Sequence, residues 1–354
     1  MYFTHSQFNK LPLKLFFRKF SEKFLLDKLN NIFPDYNVVF TDSGRSAFQL
    51  AIESLNLQDT EMILPAYICD IFKPILKHYN IKPIHIDADF KTFQMDLTSI
   101  ESRITTNTKS ILVCHTYGLP TDMNYISKIA RNYNLKIIED CAHIFPSKVY
   151  GDCAFFSFMK LFPVANSGML ISKNPLNFNL KKHMRRFSET IKLLRLDPKF
   201  ANLSEKFRPK ERLLERQRKM PEGASKISLK VVNFCLDSFN EQKEKRIKLA
   251  EYFQNKLVGL EFRVQEKENN TFTYLSALVP SDIDRDKLFH NLKNNHIFCS
   301  RIWQYPLLKQ LPNTSIIANR IINFPLQNWY TTEDIDKIIS GILSAMNSTP
   351  ESQN

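Results

Sequence analysis

The most constraining feature of this chain is a regular alternation of short apolar runs with helical stretches between residues 37 and about 175. Each apolar run has the length and composition of a buried strand. The runs cover residues 38–41, 62–67, 83–87, 110–115, 136–139, 153–158 and 169–172. Helical spacing follows several of them, at residues 45–55, 72–78 and 124–133. Strands that alternate with helices in this way predict an α/β fold with a mostly parallel sheet and helices on both of its faces.

A smaller unit is expected after this region. Residues 176–225 are polar and strongly charged and predict an exposed excursion, and one long helical pattern then runs from 226 to 257. Further strands are expected near residues 260–265, 273–279, 297–303 and 321–324, and helices near 284–294 and 332–346. A chain of 354 residues accommodates a large and a small domain. The expected divisions are an N-terminal basic amphipathic segment at 1–36, a large domain at 37–225, a linking helix at 226–258 and a small C-terminal α/β domain at 259–354.

The composition narrows the class of protein and its partners. The net charge is +13 and the pI is about 9.3, which favours anionic partners. No nucleic-acid-binding motif accompanies the charge, so we interpret the basic run at 206–219 as a solvated face and expect no nucleic acid partner. Six cysteines without C-x-x-C spacing predict reduced thiols and no metal site. With no apolar signal region and no 18-residue apolar run, we expect a soluble, cytoplasmic protein.

The first 36 residues carry a separate amphipathic pattern. Apolar residues at helical spacing form one stripe, and basic residues lie around it. The stripe is Leu13, Phe16, Phe17, Phe20 and Phe24, and the basic residues are Lys14, Arg18, Lys19 and Lys23. The pattern fits a helix on a membrane surface as well as a helix that packs on the protein. We expect packing on the protein or on a second copy, because amphipathic helices in soluble proteins mostly face a core.

Four polar residues, Ser43-Gly44-Arg45-Ser46, lie between the first predicted strand and its helix. Backbone N–H groups at a helix N-terminus attract anions, and Gly44 would let a phosphate approach closely. A simple helix cap by Ser43 or Ser46 explains the pattern equally well. The turn therefore predicts either an anion site or a cap.

A second cluster follows the strand that begins at Lys136. The strand ends in Glu139 and Asp140, at the end where ligands bind in open parallel sheets. A buried carboxylate is costly unless it meets a cation, and a protonated pyridine nitrogen is such a cation. His143, one turn further on, would lie beside such a ring. Capping of the next helix is the alternative role for Asp140.

A third cluster ends the strand at 153–158, where Ser157 precedes Lys160 by three residues. Buried aromatic neighbours would deprive the lysine of solvation and make its amine nucleophilic. Such an amine can form a Schiff base with a cofactor aldehyde, and Ser157 would hold the phosphate of the same cofactor. A lysine that reaches solvent from a surface turn is the alternative.

Taken in order, these clusters resemble the motifs of the DegT/StrS-type sugar aminotransferases, a family of fold-type-I pyridoxal-phosphate enzymes. The matching stretches are residues 43–47, 65–67, 85–89, 115–123, 139–143, 156–160 and 320–326. The resemblance is dense over residues 38–175 and loose over 226–346. It implies the fold-type-I architecture, with a large domain built on a mostly parallel sheet flanked by helices and a smaller C-terminal α/β domain.

The chain departs from the family pattern at several positions. Arg45 takes the place of a threonine, Ser167 takes the place of a glycine, and two residues are missing before the lysine. The shorter spacing is that of other fold-type-I aminotransferases, so Lys160 keeps its implied role. The residue that stacks on the cofactor ring stays open, because family spacing points to Cys69 whereas Tyr67 is the better π partner.

The resemblance implies pyridoxal 5′-phosphate as cofactor. Lys160 would bind it covalently and later move a proton, with Asp140 on the ring nitrogen and His143 beside the ring. The residues implied to hold the cofactor phosphate are Gly44, Arg45, Ser46 and Ser157. The implied substrates are a nucleotide-linked keto-deoxysugar and glutamate, the implied product serves surface glycan or polysaccharide assembly such as lipopolysaccharide, and the implied assembly is a homodimer.

Two other functions stay open at this point. One is a non-catalytic relative that acts as a regulator or scaffold, since the chain has only seven glycines and Ser167 interrupts a glycine motif. The other is a sugar dehydratase that uses the same cofactor. Family dehydratases have a histidine in place of the lysine, so Lys160 argues against that reaction.

Overall fold

A seven-stranded sheet forms the centre of the structure, a computed structural model that describes residues 3, 15, 19–164, 166–182, 220–305, 308 and 310–347. The strands are β1 Asn37–Thr41, β2 Glu61–Pro65, β3 Lys82–Ile86, β4 Thr108–Cys114, β5 Lys136–Asp140, β6 Cys153–Ser157 and β7 Gly168–Ser172. Each begins within two residues of an apolar run, so the strands expected in this region are confirmed. Strands β2, β6 and β7 are buried along their full length because the sheet is covered on both faces.

The strand order brings most C-terminal strand ends to one edge. The order across the sheet is β1-β7-β6-β5-β4-β2-β3. Strands β2 to β6 run parallel, and β7 lies antiparallel between β1 and β6. Because β7 alone reverses, β1 points the same way as β6, and the turns after these strands share an edge with the start of β7. This is the edge at which open α/β sheets bind ligands.

Helices cover this sheet on both faces. They are α1 Glu22–Ile32, α2 Gly44–Ser54, α3 Phe72–His78, α4 Met123–Tyr133 and the single turn α5 Phe158–Leu161. Phe48 of α2 packs in one core with Phe155 of β6, and Leu25 of α1 packs in another core with Phe156. Successive strand residues thus face opposite sides of the sheet. This mostly parallel sheet flanked by helices confirms the predicted fold class.

A second sheet, antiparallel and three-stranded, forms in the C-terminal part of the chain. Its strands are β8 Arg263–Val264, β9 Leu275–Leu278 and β10 Ile321–Phe324, in the order β10-β9-β8. The helices of this part are α6 Lys226–Leu236, α7 Phe239–Val258, α8 Arg285–Asn294, α9 Pro312–Arg320 and α10 Thr332–Asn347. Its core is built on fully buried side chains such as Phe253, Leu292 and Ile338.

The expected single helix from 226 to 257 is wrong. Two helices, α6 and α7, replace it and meet at Asp237 and Ser238. Ser238 departs from helical geometry with φ −112° and ψ 8°, and its Oγ accepts a hydrogen bond from Gln242 Nε2 at 2.8 Å. Lys28 of α1 donates to the Asp237 carboxylate at 2.5 Å. Serine and aspartate have low helix propensity, which agrees with the end of one helix and the start of the next at these two residues.

The expected strand at 297–303 is also wrong. Isolated bridges, one of which joins Ser300 to Asn323, are followed by a turn. Trp303 lies in that turn with φ 59°, which ends the extended backbone. The Ile302 N–H donates to Asn323 Oδ1 at 2.8 Å, so a side chain takes the place of a strand partner.

Helix α9 has no counterpart among the expected elements, because its cap comes from a distant residue. Its own N-cap residue, Leu311, makes no side-chain cap. The carboxylate of Asp87, just after β3, accepts the N–H groups of Asn313 and Thr314 at 3.1 and 2.8 Å. This cap satisfies the helix N-terminus and fastens the C-terminal part to the large sheet.

Only part of the N-terminal stripe falls within the described residues, and the prediction that Phe24 packs with it is wrong. Leu13, Phe16 and Phe17 lie outside the described residues, as does the basic run at 206–219. Phe20 packs at the margin of a core, whereas Phe24 is 68% exposed. Phe24 faces solvent because α1 begins only at Glu22 and turns Leu25 and Leu29 inward.

Two earlier residues are buried in different cores. Phe3 is 5% exposed, and its ring meets Tyr330 edge-on with centroids 5.6 Å apart. Leu15 is buried in the core that contains α1. These contacts favour packing of the segment on the protein itself. Within the described residues, no helix combines the length and apolar composition needed to span a bilayer.

Candidate active site

Four turns at the shared edge of the sheet carry the residues expected at the site. Gly44, Arg45 and Ser46 follow β1, Tyr67 and Cys69 follow β2, Asp140 and His143 lie at the end of β5, and Ser157 and Lys160 lie at the end of β6. Strand order, rather than closeness in sequence, brings these residues to one edge.

The turn after β1 combines a helix cap with an anion-binding geometry. Ser43 Oγ accepts the Ser46 N–H at 3.2 Å and so caps α2. The Ser46 hydroxyl donates to Asp42 Oδ1 at 2.5 Å, and Asp42 is buried. Arg45, half-buried, adds a positive charge at the same turn. A helix N-terminus is a place that favours anions, and here the Asp42 carboxylate holds the Ser46 hydroxyl.

Two glycines let the backbone close up around this turn. A Cβ at Gly44 would lie 2.9 Å from Ser157 Cβ, and a Cβ at Gly168 would lie 2.5 Å from the Ser43 carbonyl carbon. Both distances are shorter than real Cβ contacts, so neither position accepts a side chain without movement. The start of α2, the end of β6 and the start of β7 therefore meet, which brings Ser157 beside the helix N-terminus.

Asp140 is a buried carboxylate at the C-terminal end of β5. Its Oδ1 accepts the Ala142 N–H at 2.9 Å, and the Cys114 thiol donates to Oδ2 at 3.5 Å. Burial raises the pKa of this carboxyl, and the nearby Lys160 opposes that shift. Because a cation would stabilise a carboxylate in such a place, the position suits a protonated ring nitrogen.

Lys160 and His143 are in direct contact. Lys160 Nζ lies 3.0 Å from His143 Nε2, although the two residues follow different strands. Lys160 is half-buried in α5, and His143 is buried. Burial lowers the pKa of His143 well below its usual value, and the charge of Lys160 lowers it further. A buried imidazole beside a primary amine can orient that amine and exchange a proton with it.

Glu139, the residue before Asp140, has a structural role. Its Oε1 accepts the N–H groups of Tyr150 and Gly151 at 2.6 and 2.5 Å. Its Oε2 lies 3.1 Å from His115 Nε2. The buried carboxylate is thereby satisfied by two loops, which it ties to the end of β5.

A possible metal-binding group at the same place has protein partners instead. One ligand atom each of His115, Glu139 and Cys141 lies within 4.8 Å of the others. His115 Nδ1 accepts the Thr121 N–H at 3.0 Å, so the ring proton lies on Nε2 and is donated to Glu139. The polar atoms of His115 and Glu139 thus have hydrogen-bond partners within the protein. We therefore interpret the group as structural. All six cysteines are free thiols.

The two candidates for stacking on a cofactor ring differ in their surroundings. Tyr67 is fully buried, and its hydroxyl lies 2.6 Å from the Tyr117 hydroxyl. Cys69 is half-buried, and burial raises its pKa, while the charges of Lys160 and Asp140 are close enough to shift it as well. Cys69 thus lies near the charged residues of this edge, whereas Tyr67 packs in one core with Tyr117 and Trp303, and the choice between them stays a prediction.

The sequence does not single out three aromatic residues that surround His143. The ring centroids of Tyr117, Tyr274 and Trp303 lie 5.8, 5.1 and 5.3 Å from the imidazole. Tyr117 belongs to the loop at 115–123, where the motif gives a signal for it. Tyr274 and Trp303 come from the C-terminal part, where no local pattern marks them.

Comparison with known proteins identifies relatives over most of the chain. The model of the DegT/DnrJ/EryC1/StrS aminotransferase family matches residues 22–343. The chain is 32% identical to GDP-perosamine synthase of Escherichia coli O157:H7 over 176 residues, which are 45% of this chain and 48% of that protein. It is 25% identical to dTDP-4-amino-4,6-dideoxy-D-glucose transaminase of Shigella dysenteriae over 329 residues, which are 85% and 83% of the two chains. The match thus spans about half the length of the first relative and most of the second.

A solved structure shares the fold. The E. coli GDP-4-keto-6-deoxy-D-mannose-3-dehydratase with bound hydrated PLP matches with a TM-score of 0.74, over 97% of this chain and 100% of that chain. At 17% identity, this likeness shows the fold and not the reaction. The family assignment depends instead on the family model, which matches nearly the whole chain. As the order of its sequence motifs predicts, the chain belongs to the DegT/DnrJ/EryC1/StrS aminotransferase family.

Proposed function

We propose that this protein is a pyridoxal-5′-phosphate-dependent aminotransferase that transfers an amino group to a nucleotide-linked keto-sugar. The observation that carries the proposal is the 3.0 Å contact between Lys160 Nζ and His143 Nε2, at the same sheet edge as the buried carboxylate of Asp140. Family membership supports the reaction class. An amine, a buried acid and an anion-binding helix terminus at one edge are the groups that this cofactor needs.

The residues present fit this cofactor. The N-terminus of α2 and Ser157 meet at Gly44, where a side chain would collide, so the helix N-terminus and the Ser157 side chain lie side by side and could hold one phosphate together. Asp140 would face the protonated ring nitrogen and keep it charged. Asp42 is the least favourable neighbour, because its negative charge opposes a phosphate at the same turn. Arg45 carries the opposite charge there and would offset it.

The cofactor, when bound, supplies a ring that withdraws electrons from the reacting carbon of the substrate. Lys160 would hold it through Nζ and, once released, move a proton at that carbon. His143 Nε2 is within hydrogen-bond distance of that amine and orients it. The rings of Tyr117 and Trp303 lie against the imidazole and exclude water from it.

The substrate class is proposed from the relatives. Their names refer to sugars linked to GDP and dTDP, so we propose a nucleotide-linked keto-deoxysugar as amino acceptor, with glutamate as donor. The net charge of +13 suits a substrate that carries a diphosphate. We further propose a cytoplasmic homodimer whose product serves surface glycan or polysaccharide assembly.

Replacement of Lys160 by alanine tests this proposal. The wild-type chain incubated with pyridoxal phosphate should gain an absorption band that bleaches with glutamate as 2-oxoglutarate forms, and borohydride should fix the cofactor on the peptide that contains Lys160. Lys160→Ala should lose the band, the label and transamination but keep the wild-type circular dichroism spectrum. Lys128→Ala, at an exposed lysine of α4, is the matched control and should behave as wild type.

Turnover together with a reducible adduct in Lys160→Ala would contradict the assignment of the lysine. Cofactor binding by the wild-type chain without formation of 2-oxoglutarate or any aminated sugar would contradict the aminotransferase proposal. That second outcome would point instead to a regulator or scaffold that keeps the fold of the family.

A further inference from the structure

His143 is held by the C-terminal part of the chain as well as by the end of β5. Thr273 Oγ1 donates to the His143 carbonyl oxygen at 2.5 Å. The imidazole is near-parallel to the rings of Tyr117 and Trp303, at 13° and 23°, and Tyr274 meets it at 73°. Tyr274 lies just before β9 and Trp303 lies after it, so both are far from His143 in sequence.

A hydrogen bond from the backbone fixes the tautomer of the neutral imidazole. The Tyr117 N–H donates to His143 Nδ1 at 3.1 Å. Because Nδ1 accepts this bond, it carries no proton, and the ring proton lies on Nε2. Nε2 is the atom that faces Lys160 Nζ at 3.0 Å. His143 therefore presents an N–H group toward Lys160, and the 3.0 Å contact is a hydrogen bond when that amine is uncharged.

The Tyr117 N–H reaches the imidazole through an uncommon backbone conformation. Tyr117 has φ 62° and Gly118 has φ 109°, in a region that is unfavourable for a residue with a side chain. The Tyr274 N–H donates to the Tyr117 carbonyl at 3.1 Å, and the Thr271 N–H and Oγ1 donate to the Gly118 carbonyl at 2.9 and 3.0 Å. The Tyr117 hydroxyl donates to the Ile302 carbonyl at 3.1 Å. Residues of the C-terminal part thus hold the turn that fixes the tautomer.

The same segment anchors Trp303. The preceding residue, Ile302, donates its N–H to Asn323 Oδ1 at 2.8 Å. The Ile302 carbonyl oxygen lies 3.1 Å from the hydroxyls of both Tyr67 and Tyr117. The backbone before the indole is therefore bonded to β10 and to the turns that follow β2 and β4, and the indole ring lies 5.3 Å from the imidazole.

We propose that Trp303 is a positioning residue whose indole covers the imidazole of His143 and shields it from water. This inference rests on the proposed function in one respect, namely that Lys160 is the reacting amine. The C-terminal part of the chain then determines which nitrogen of His143 carries the proton that faces that amine.

The ionisable groups around His143 define what a titration would report. Burial is the main cause of its lowered pKa, and the charge of Lys160 adds to that effect. Burial raises the pKa of Tyr117 above its ordinary range and raises the pKa of Tyr274 to about 12, so both phenols stay neutral. Burial also raises the pKa of Asp140, at the end of the same strand. Removal of an apolar ring would admit water and return the imidazole toward its ordinary pKa, about 6.5.

The experiment is nitrogen NMR of the full chain labelled with ¹⁵N-histidine and prepared without cofactor. His143→Gln assigns the His143 signals among the eight histidines. Wild-type His143 should show a protonated Nε2, an unprotonated Nδ1 and ring protonation only well below its ordinary pKa. In Trp303→Ala the neutral ring should keep its proton on Nε2, because Tyr117 still donates to Nδ1, but the ring should titrate near pH 6.5, about its ordinary value. Trp303→Phe should restore the wild-type pattern, because a flat apolar ring again covers the imidazole.

An unchanged titration of His143 in Trp303→Ala would overturn the proposal, and a wild-type proton on Nδ1 would overturn the tautomer from which it is argued. If the alanine variant does not fold, Trp303→Leu is compared with Trp303→Phe, and equal titration of His143 in those two would overturn it in the same way. In the loaded enzyme, the acidic limb of kcat/KM should move to higher pH in Trp303→Ala and return in Trp303→Phe. Since the NMR measurement needs no cofactor, a failure of the aminotransferase proposal would appear separately, as the absence of the absorption band.

Discussion

Replacement of Gly168 by alanine is expected to destabilise the protein and to weaken cofactor binding. The added Cβ would lie 2.5 Å from the Ser43 carbonyl carbon and 2.6 Å from Gly44 N. The shorter distance is about 0.9 Å inside the 3.4 Å at which ordinary contact begins. Both atoms belong to the backbone at the start of α2, so no side chain can rotate away. Overpacking costs about 1–3 kcal/mol, and we expect about 2–3 kcal/mol here, a decrease of about 30- to 150-fold in the folding equilibrium constant.

The matched control is Gly223→Ala, where the new Cβ would meet Leu180 Cβ at 3.6 Å, an ordinary contact. Urea unfolding followed by circular dichroism measures stability, and titration with pyridoxal phosphate followed by absorbance measures Kd. Gly168→Ala should unfold at lower urea and bind with a higher Kd, because the turn at Ser43 must move. Gly223→Ala should stay within about 0.5 kcal/mol of wild type. Equal unfolding of the two variants, or wild-type Kd in Gly168→Ala, would refute the reasoning.

Asp140→Asn should leave the cofactor-free protein at least as stable as wild type, because burial disfavours the carboxylate that it replaces. It should weaken cofactor binding by about 2–5 kcal/mol in the same titration, and unchanged Kd would remove Asp140 from the site. Because burial lowers the pKa of His143 in the folded protein, the unfolded state binds the proton first as pH falls. The contribution of His143 to the free energy of unfolding is therefore fully present above about pH 6.5 and decreases below it by up to about 1.4 kcal/mol per pH unit. This slope should be absent when His143→Gln is unfolded in urea. Phe3→Ala should cost about 3–5 kcal/mol of unfolding free energy, since the ring is 5% exposed. Phe24→Ala, at a ring 68% exposed, should cost less than about 0.5 kcal/mol. If Phe3→Ala and Phe24→Ala were equally stable but bound anionic vesicles less than the wild-type chain does, a membrane-surface role for the N-terminal segment would be favoured.

The sheet and the edge that carries the site could be predicted because each part has a local signal. An apolar run marks each strand from β1 to β7, and parallel strands end at a common edge. Asp140 and Lys160 were therefore expected together, although only the strand order brings their side chains close. The turn at Ser43 gave two interpretations, a cap and an anion site, and the structure shows the cap directly.

The aromatic rings around His143 and several features of the C-terminal part could not be predicted, because most of them are determined by distant residues. Helix α9 is capped by Asp87 rather than by its own N-cap residue. The segment around Trp303 has the composition of a strand, but hydrogen bonds to side chains turn it away from the sheet. The break at Asp237 and Ser238 interrupts a continuous apolar spacing, so the spacing alone did not reveal it. Sequence spacing reports neighbours on one element and not the contacts between elements.

The hydrogen bond from Tyr117 to Ile302 joins residues 185 positions apart, and this separation sets an order of events during synthesis. The ribosome releases Lys160, Asp140 and the turn at Gly44 long before Trp303 exists. Contacts between residues so far apart form late, after the local elements of each part. A nascent chain that ends before β9 would hold the amine and the acid but leave the imidazole of His143 open to water. Only chains synthesised to their C-terminal part would carry the rings of Tyr274 and Trp303 that lie against His143.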